Sequence, residues 1–358
     1  MKNRILVINP GSTSTKIAVF ENARQVCLVN IKHSSEELSR FATITDQYDF
    51  RKNVIVNELK NNNFELNTFV LVIGRGGLIK PVLSGVYAVN DLMKEHLRNG
   101  YSGQHASNLG GLIADSIAHD MGLNQAYVAD PVVVDELSDV ARISGHPDFE
   151  RVSIFHALNQ KAIARMYAGD RNKKYEELNL VVAHLGGGIS VGVHKSGRVV
   201  DVNQALDGEG PFSPERSGTL PMNQIIDTCF SGKYTRDEIH SMIVGKGGYV
   251  AYFGTNNAYD IEQQAIAGDA KANLIEEAMA YQTAKQIGAS VATLGMKPDA
   301  IILTGGLAKG DPFVARIKKY IHWMADEIAV YKGEDEMQAL ASNAVMILEG
   351  KADVREYR

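Results

Sequence analysis

The sequence predicts a mixed α/β protein built from two similar halves. Two strand–turn–strand segments of like design lie half a chain apart. Strand-like runs ending in glycine, aspartate or histidine alternate with helix-like segments, and no short-period repeat or low-complexity stretch intervenes. At 358 residues, with 45% apolar and 22% charged, the chain is long enough for about two domains with a substantial core.

The first paired segment runs Ile5-Leu-Val-Ile-Asn9, turns through Pro10-Gly-Ser-Thr-Ser-Thr-Lys16 and leaves as Ile17-Ala-Val-Phe20. The second runs Leu180-Val-Val-Ala-His184, turns through Leu185-Gly-Gly-Gly188 and leaves as Ile189-Ser-Val-Gly-Val193. Each reads as a β-hairpin whose tip is small, hydroxylated or bare. Backbone N–H groups and hydroxyls in such a tip can cradle phosphate oxygens, because glycine lets the backbone come close to a ligand. Ordinary turn chemistry accounts for one such tip taken alone. The matched pair suggests a duplicated fold that holds one polyphosphate.

Further strands are expected at Phe69–Ile73 before Gly74-Arg-Gly-Gly77, at Ala126–Ala129 before Asp130-Pro131, and at Ala300–Thr304 before Gly305-Gly306. Ligands gather at the carboxyl ends of strands in α/β folds, so these endings are candidates for one site. Helices are expected at Leu109–Met121, Phe155–Tyr167, Ala270–Ile287, Pro312–Val330 and Glu336–Leu348, with Asp311 as N-cap and Pro312 at the first helical position of the fourth. A boundary near Glu150–Ile154 gives halves of residues 1–153 and 154–334. The last helix, within 335–358, could pack on either half and is assigned to the first.

Several function classes are excluded by pattern. The formal net charge of −5 and the pI of about 6.1 offer no basic field for nucleic acid or an anionic membrane. No apolar run approaches a membrane span and Met1 leads directly into a strand, so a cytoplasmic location is expected. Cys27 and Cys229 are far apart and lack partners at ligand spacing, which argues against disulfides and zinc and reads as two buried small hydrophobes. There is no Gly-x-x-x-x-Gly-Lys-[Ser/Thr]. Gly305-Gly-Leu-Ala-Lys-Gly310 misses the dinucleotide spacing because Leu307 stands at the second glycine's place.

The residues that could carry chemistry sit at these turns. Arg75 between glycines and Arg216 in Ser213-Pro-Glu-Arg-Ser-Gly218 present planar forks suited to carboxylate or phosphate. His184 closes the strand before the second tip and could donate to a phosphoryl group in transfer. His105 lies in a polar loop and His156 near a helix start. Asp130 and the cluster Glu334-Asp-Glu336 are candidates for Mg²⁺, which needs only one or two protein carboxylates beside a nucleotide. The cluster reads equally well as acids stabilised at a helix N-terminus. The bare Thr304-Gly-Gly306 backbone could lie against adenine or ribose, or simply turn a strand into a helix.

In this order and spacing, Ile8-Asn-Pro-Gly-Ser-Thr-Ser14, His184-Leu-Gly-Gly-Gly188, Arg216-Ser-Gly218 and Thr304-Gly-Gly306 resemble the acetate and butyrate kinase family. That family lies within the larger group sharing the actin, Hsp70 and sugar-kinase fold. The resemblance implies a duplicated, ribonuclease H-like two-domain fold with an ATP cleft between the halves. It also implies ATP and ADP as cofactors with Mg²⁺, a small carboxylate substrate and a homo-oligomer. Carried over, it places Asn9, Ser12, Ser14 and Lys16 at the first phosphate loop, and Gly186, Gly187, Gly188, Gly305 and Gly306 at the nucleotide. Arg75 and Arg216 would hold the carboxylate and the moving phosphoryl group, and His184 would stabilise the transition state. His105 and His156 would line the acyl and phosphoryl site, and Asp130 would position substrate or metal. Asn9 with Glu334 or Glu336 would hold Mg²⁺.

Ser102-Gly-Gln-His-Ala-Ser-Asn108, Ala129-Asp-Pro-Val-Val-Val-Asp-Glu136 and Asp207-Gly-Glu-Gly-Pro-Phe-Ser-Pro-Glu-Arg-Ser-Gly218 resemble the butyrate-using branch. Gly187 stands where acetate-using members carry Asn, and His105-Ala-Ser where they carry His-Asn-Pro. The implied acceptor is therefore butyrate or a similar short or branched acid, with acetate and propionate as alternatives. A sugar kinase of this fold would need an aspartate base, for which Asp130 could serve, but the paired arginines suit a carboxylate better. An ATP-gated binding protein would need an appended domain, for which the chain has no spare length.

Overall fold

The computed structural model describes residues 3–333 and 335–358. Twelve strands are placed among them: β1 Arg4–Pro10, β2 Ser14–Glu21, β3 Arg24–Lys32, β4 Phe69–Arg75, β5 Val86–Ala88, β6 Tyr127–Ala129, β7 Asn179–Leu185, β8 Ile189–Lys195, β9 Arg198–Val202, β10 Ala300–Gly305, β11 Ile328–Lys332 and β12 Val354–Arg355. The chain divides into two compact units, Met1–Val134 with Asp335–Arg358, and Asp135–Glu334.

The first unit holds a seven-stranded sheet in the order β12-β5-β6-β4-β1-β2-β3, and the second a five-stranded sheet in the order β11-β10-β7-β8-β9. In each, three consecutive strands form an antiparallel meander, and two later strands add in parallel beside the first of the three. The run β3-β2-β1-β4-β6 thus repeats as β9-β8-β7-β10-β11, which is the duplication that the paired hairpins predict.

The central strands are apolar on both faces because both faces are covered. On one side of the second sheet, Val181, Ala183 and Leu185 pack with Met279, Ala280, Ile287 and Ile317. On the other, Leu180 and Val182 pack with Ile163, Ala164 and Tyr167. In the first unit, helix Glu336–Leu348 packs on β1 and β4, and the terminal segment returns to the unit's edge. There the Tyr357 hydroxyl accepts from the Lys80 amide at 2.9 Å and pairs with His96 Nδ1 at 2.7 Å.

Three expectations need correction. The fourth helix ends at Ile321, and Ile328–Lys332 is the parallel edge strand β11. Its Ile-Ala-Val-Tyr run has strand-forming character, and the exposed Trp323 marks the break before it. That helix is capped by Gly310, with Asp311 inside its first turn. Cys229 is exposed and Cys27 only half-buried, because Cys229 ends helix Met222–Cys229, which buries none of its residues.

Candidate functional site

The first hairpin tip is shaped from behind. β1 and β2 pair up to Pro10↔Thr15, and the Gly11 amide closes the turn onto the Ser14 carbonyl at 2.7 Å. Beneath it lies Arg51, fully buried, from helix Tyr48–Asn61. Its Nη1 donates to the Gly11 carbonyl at 2.8 Å, the Ser14 carbonyl at 3.1 Å and Thr15 Oγ1 at 3.0 Å. Its Nη2 donates to the Ser12 carbonyl at 3.1 Å, and Nε and Nη2 both reach Gln47 Oε1. Each of these acceptors is neutral. Burial pulls the guanidinium down to about 10, so it stays charged at neutral pH. A buried cation whose hydrogen-bond acceptors are all neutral sets an electropositive background behind the tip and suits it to an anion.

On the same unit, Asn9 Nδ2 donates to Glu336 Oε2 at 2.7 Å, and Arg75 Nη1 donates to the same oxygen at 3.1 Å. Arg75 Nη1 also lies 3.4 Å from Asn9 Oδ1. Three sequence-predicted residues thus form one cluster, built from the ends of β1 and β4 and the first turn of helix Glu336–Leu348. Arg75 is brought there by close packing. A Cβ on Gly74 would collide with the Gly110 carbonyl, and one on Gly110 with the Arg75 carbonyl, so glycines let helix Asn108–Asp120 lie directly on β4.

Lys16 stands opposite Asn9 in the β1–β2 register, on the same face and exposed; Ser12 is exposed and Ser14 half-buried at the tip. Asp130 is buried just after β6 with φ 38°, its Oδ1 accepting from Ser84 Oγ at 2.6 Å and the Gly85 amide at 2.8 Å. His105 turns its Nδ1 back to Ser107, accepting from the amide at 3.2 Å and pairing with Oγ at 2.9 Å. Glu334 lies outside the described residues. Among the described residues, no three His, Cys, Asp or Glu gather as a metal cluster.

In the second unit, His184 and His156 stack with centroids 3.8 Å apart and planes at 11°. His184, almost wholly buried at the end of β7, pairs through Nδ1 with Asn159 Oδ1 at 2.8 Å. That oxygen only accepts, so Nδ1 carries a proton. His156 Nδ1 meets Ser190 Oγ at 2.9 Å, and the same oxygen accepts from Gln160 Nε2 at 2.8 Å.

The second tip explains its glycines. The Gly186 amide closes onto the Gly188 carbonyl at 3.1 Å, and the Gly187 carbonyl accepts from Ser213 Oγ. A Cβ on Gly188 would occupy the place of Arg216 Nη1, which donates to the Ala205 carbonyl. The bare tip is thus a passage for Arg216. His184, His156, Arg216 and the three tip glycines form one constellation within this unit.

Beyond β10, Gly305 is buried with φ 96° against the backbone of Leu185, while Gly306 opens a turn that lines a separate cavity of about 360 Å³. Tyr249, Glu262, Glu276, Leu307 and Phe313 share that lining. Only Gly306 of the predicted glycine pair reaches it.

Arg51, Asn159, Gln160, Ser190 and Glu276 escaped the sequence reading. Asn159 and Gln160 carried a usable signal, two adjacent amides in the first turn of a helix.

The model of the acetokinase family matches residues 151–326. The chain is 52% identical to butyrate kinase 2 of Clostridium acetobutylicum over 100% of both sequences. The chain belongs to the acetokinase family. Among solved structures, the acetate kinase of Porphyromonas gingivalis matches with a TM-score of 0.78 at 16% identity, over 97% of this chain and 100% of that one. A propionate kinase from Francisella tularensis matches with a TM-score of 0.73 at 17% identity, over 95% and 98%. At such identities these likenesses establish the shared fold. The acetokinase-family member described here thus has the duplicated α/β architecture its hairpins predicted.

Proposed function

We propose that the protein is an ATP-dependent carboxylate kinase that transfers the γ-phosphoryl group of ATP reversibly to butyrate or a similar short or branched fatty acid. The observation that carries the reading is the His184–Arg216 constellation, a tautomer-fixed imidazole beside a glycine tip that admits a guanidinium. It occurs in a chain 52% identical throughout its length to a butyrate kinase.

A carboxylate is already ionised at pH 7 and needs no general base. Its oxygen attacks the γ-phosphorus, an O–P bond forms in line as the β,γ-bridging O–P bond breaks, and ADP leaves with the bridging oxygen's electron pair. Rate enhancement then rests on positioning and on charge stabilisation at the equatorial oxygens. His184 Nε2, when protonated, and the Arg216 fork serve the phosphoryl group, and Arg75 serves the carboxylate. His105 and His156 are assigned to the acyl and phosphoryl surroundings, and Asp130 to positioning through the Ser84–Gly85 turn.

Asn9 and Glu336 offer an amide oxygen and one carboxylate side by side, a donor set that fits Mg²⁺ keeping most of its waters. Held there, Mg²⁺ would neutralise phosphate charge. Ser12, Ser14 and Lys16 are assigned to phosphate oxygens and the Gly306 cavity to the nucleoside. The enzyme is assigned to the cytoplasm, where ATP is available; among the described residues no helix is long and apolar enough to cross a membrane. We assign it to a homodimer or larger assembly, an idea supported by the exposed Met222, Ile226 and Phe230.

Arg216→Ala tests the assignment. It should lower kcat by about 10²–10³-fold with little change in ATP affinity. Normal turnover in that variant would overturn the reading.

A further inference from the structure

The cavity beside Gly306 contains a carboxyl group that the proposed phosphoryl chemistry does not use and that the fold engages only through a long ion pair. Glu276 lies in helix Ala270–Leu294, 2% exposed, and lines the cavity. Its Oε2 is buried with no hydrogen-bond partner among the described residues. The nearest cation is Arg316 Nε at 3.6 Å, outside hydrogen-bonding range. The rest of that guanidinium is committed elsewhere, Nη1 to Glu277 Oε2 at 3.0 Å and Nη2 to Asn273 Oδ1 at 2.7 Å. An unsatisfied buried carboxyl oxygen is costly, so a binding partner supplied from the cavity side would account for its retention.

We propose that Glu276 reads the Watson–Crick edge of adenine, donating from its carboxyl O–H to N1 and accepting from the 6-amino group. The proposal rests on the assignment of this cavity to the nucleoside of ATP. The surroundings favour the protonated carboxyl that this pairing requires. Burial pushes Glu276 up to about 7, with Arg316 pulling it down and Glu262 adding to the rise. Glu262 faces the cavity from helix Ala258–Ile266, Tyr249 from helix Gly248–Phe253 and Lys309 from the turn after β10. Apolar Met279 and Phe313 complete the surroundings. The ionised form, an acceptor only, pairs instead with the N1–H and 2-amino donors of guanine. Base preference should therefore move with pH.

The experiment compares kcat/KM for ATP, GTP and purine riboside triphosphate, which lacks the 6-amino group, in the wild type, Glu276→Gln and Glu276→Leu. The wild type should prefer ATP to the purine analogue by about tenfold at pH 6.5. Its ATP-to-GTP ratio should fall as pH rises from 6 to 8.5. Glu276→Gln, whose amide donates and accepts like the protonated acid, should keep the ATP preference with no pH dependence. Glu276→Leu should bring ATP and the analogue within twofold while leaving the carboxylate KM unchanged. A tenfold preference surviving in Glu276→Leu, or a flat wild-type pH profile, would overturn the proposal. Ala258→Trp, which fills the cavity, separates the two readings. An unchanged KM for ATP in that variant, folded by circular dichroism, removes the nucleoside assignment itself. A raised KM there, with base preference untouched in the Glu276 variants, removes only the role of Glu276.

Discussion

Arg51→Met removes the support beneath the first hairpin tip. The side chain satisfies three backbone carbonyls, Gly11, Ser12 and Ser14, together with Thr15 Oγ1 and Gln47 Oε1. At about 1 kcal/mol for each carbonyl left without its donor, the loss is about 3 kcal/mol. That corresponds to a drop of roughly 6–12 °C in Tm for the unit that contains it. The effect on activity is separate. Without Arg51 the tip loses both its fixed amide geometry and the positive charge behind it, so kcat should fall about 10–100-fold while the KM for the carboxylate stays unchanged. Arg51→Lys keeps the charge but replaces a fork with a point donor that cannot span all five acceptors, and should fall between the two. Thermal melts give the first number, and initial rates well below the variant's Tm give the second. A folded Arg51→Met enzyme with kcat within twofold of wild type would refute the argument that this arginine shapes the phosphate loop.

Three further outcomes follow from the second unit. Gly188→Ala should displace Arg216 and cut kcat about 100-fold, and combining it with Arg216→Ala should cost nothing more, since both remove one interaction; steady-state rates of the three variants check this. Asn159→Leu, which no longer holds the Nδ1 proton of His184, should lower kcat about 10-fold or more and shift the pH–rate profile, with nucleotide binding by calorimetry unchanged. Glu276 has a raised folded-state value, about 7 against an ordinary 4.5, so its ionisation opposes folding. The stability it contributes is full below about 4.5 and is lost as pH rises through about 7, up to about 3 kcal/mol, and Glu276→Gln should remove that loss in urea melts at pH 5.5 and 8.

The parts of the fold legible in the sequence were those whose burial is uniform. β1 and β7 are apolar on both faces, so their runs stood out, and so did the small residues of the turns that follow them. β3 was missed because it lies at a sheet edge and mixes half-buried with exposed positions. Helix Tyr48–Asn61 was missed for a more instructive reason. Its buried stripe is Arg51, Ile55 and Leu59, four residues apart, and the stripe begins with a charged residue that only tertiary contact places in the interior. The glycine tips and arginines could be read locally. The link between Asn9 and Glu336 spans 327 residues and could not, so the sequence left Glu334 and Glu336 as equal alternatives, whereas the structure puts Glu336 in contact with Asn9 and Arg75. Glu276 lay in a segment read simply as a helix, and its meaning depends on a cavity that a single helix does not reveal.

The central claim is phosphoryl transfer to a carboxylate. Incubating the enzyme with ATP, Mg²⁺ and hydroxylamine together with acetate, propionate, butyrate, isobutyrate or valerate traps any acyl phosphate as its hydroxamate. The account predicts hydroxamate formed in step with ADP, with butyrate or a similar short or branched acid ahead of acetate. Because each buried CH₂ is worth only about 0.8 kcal/mol, the preference should be graded across neighbouring acids. No hydroxamate from any of the five acids would contradict it.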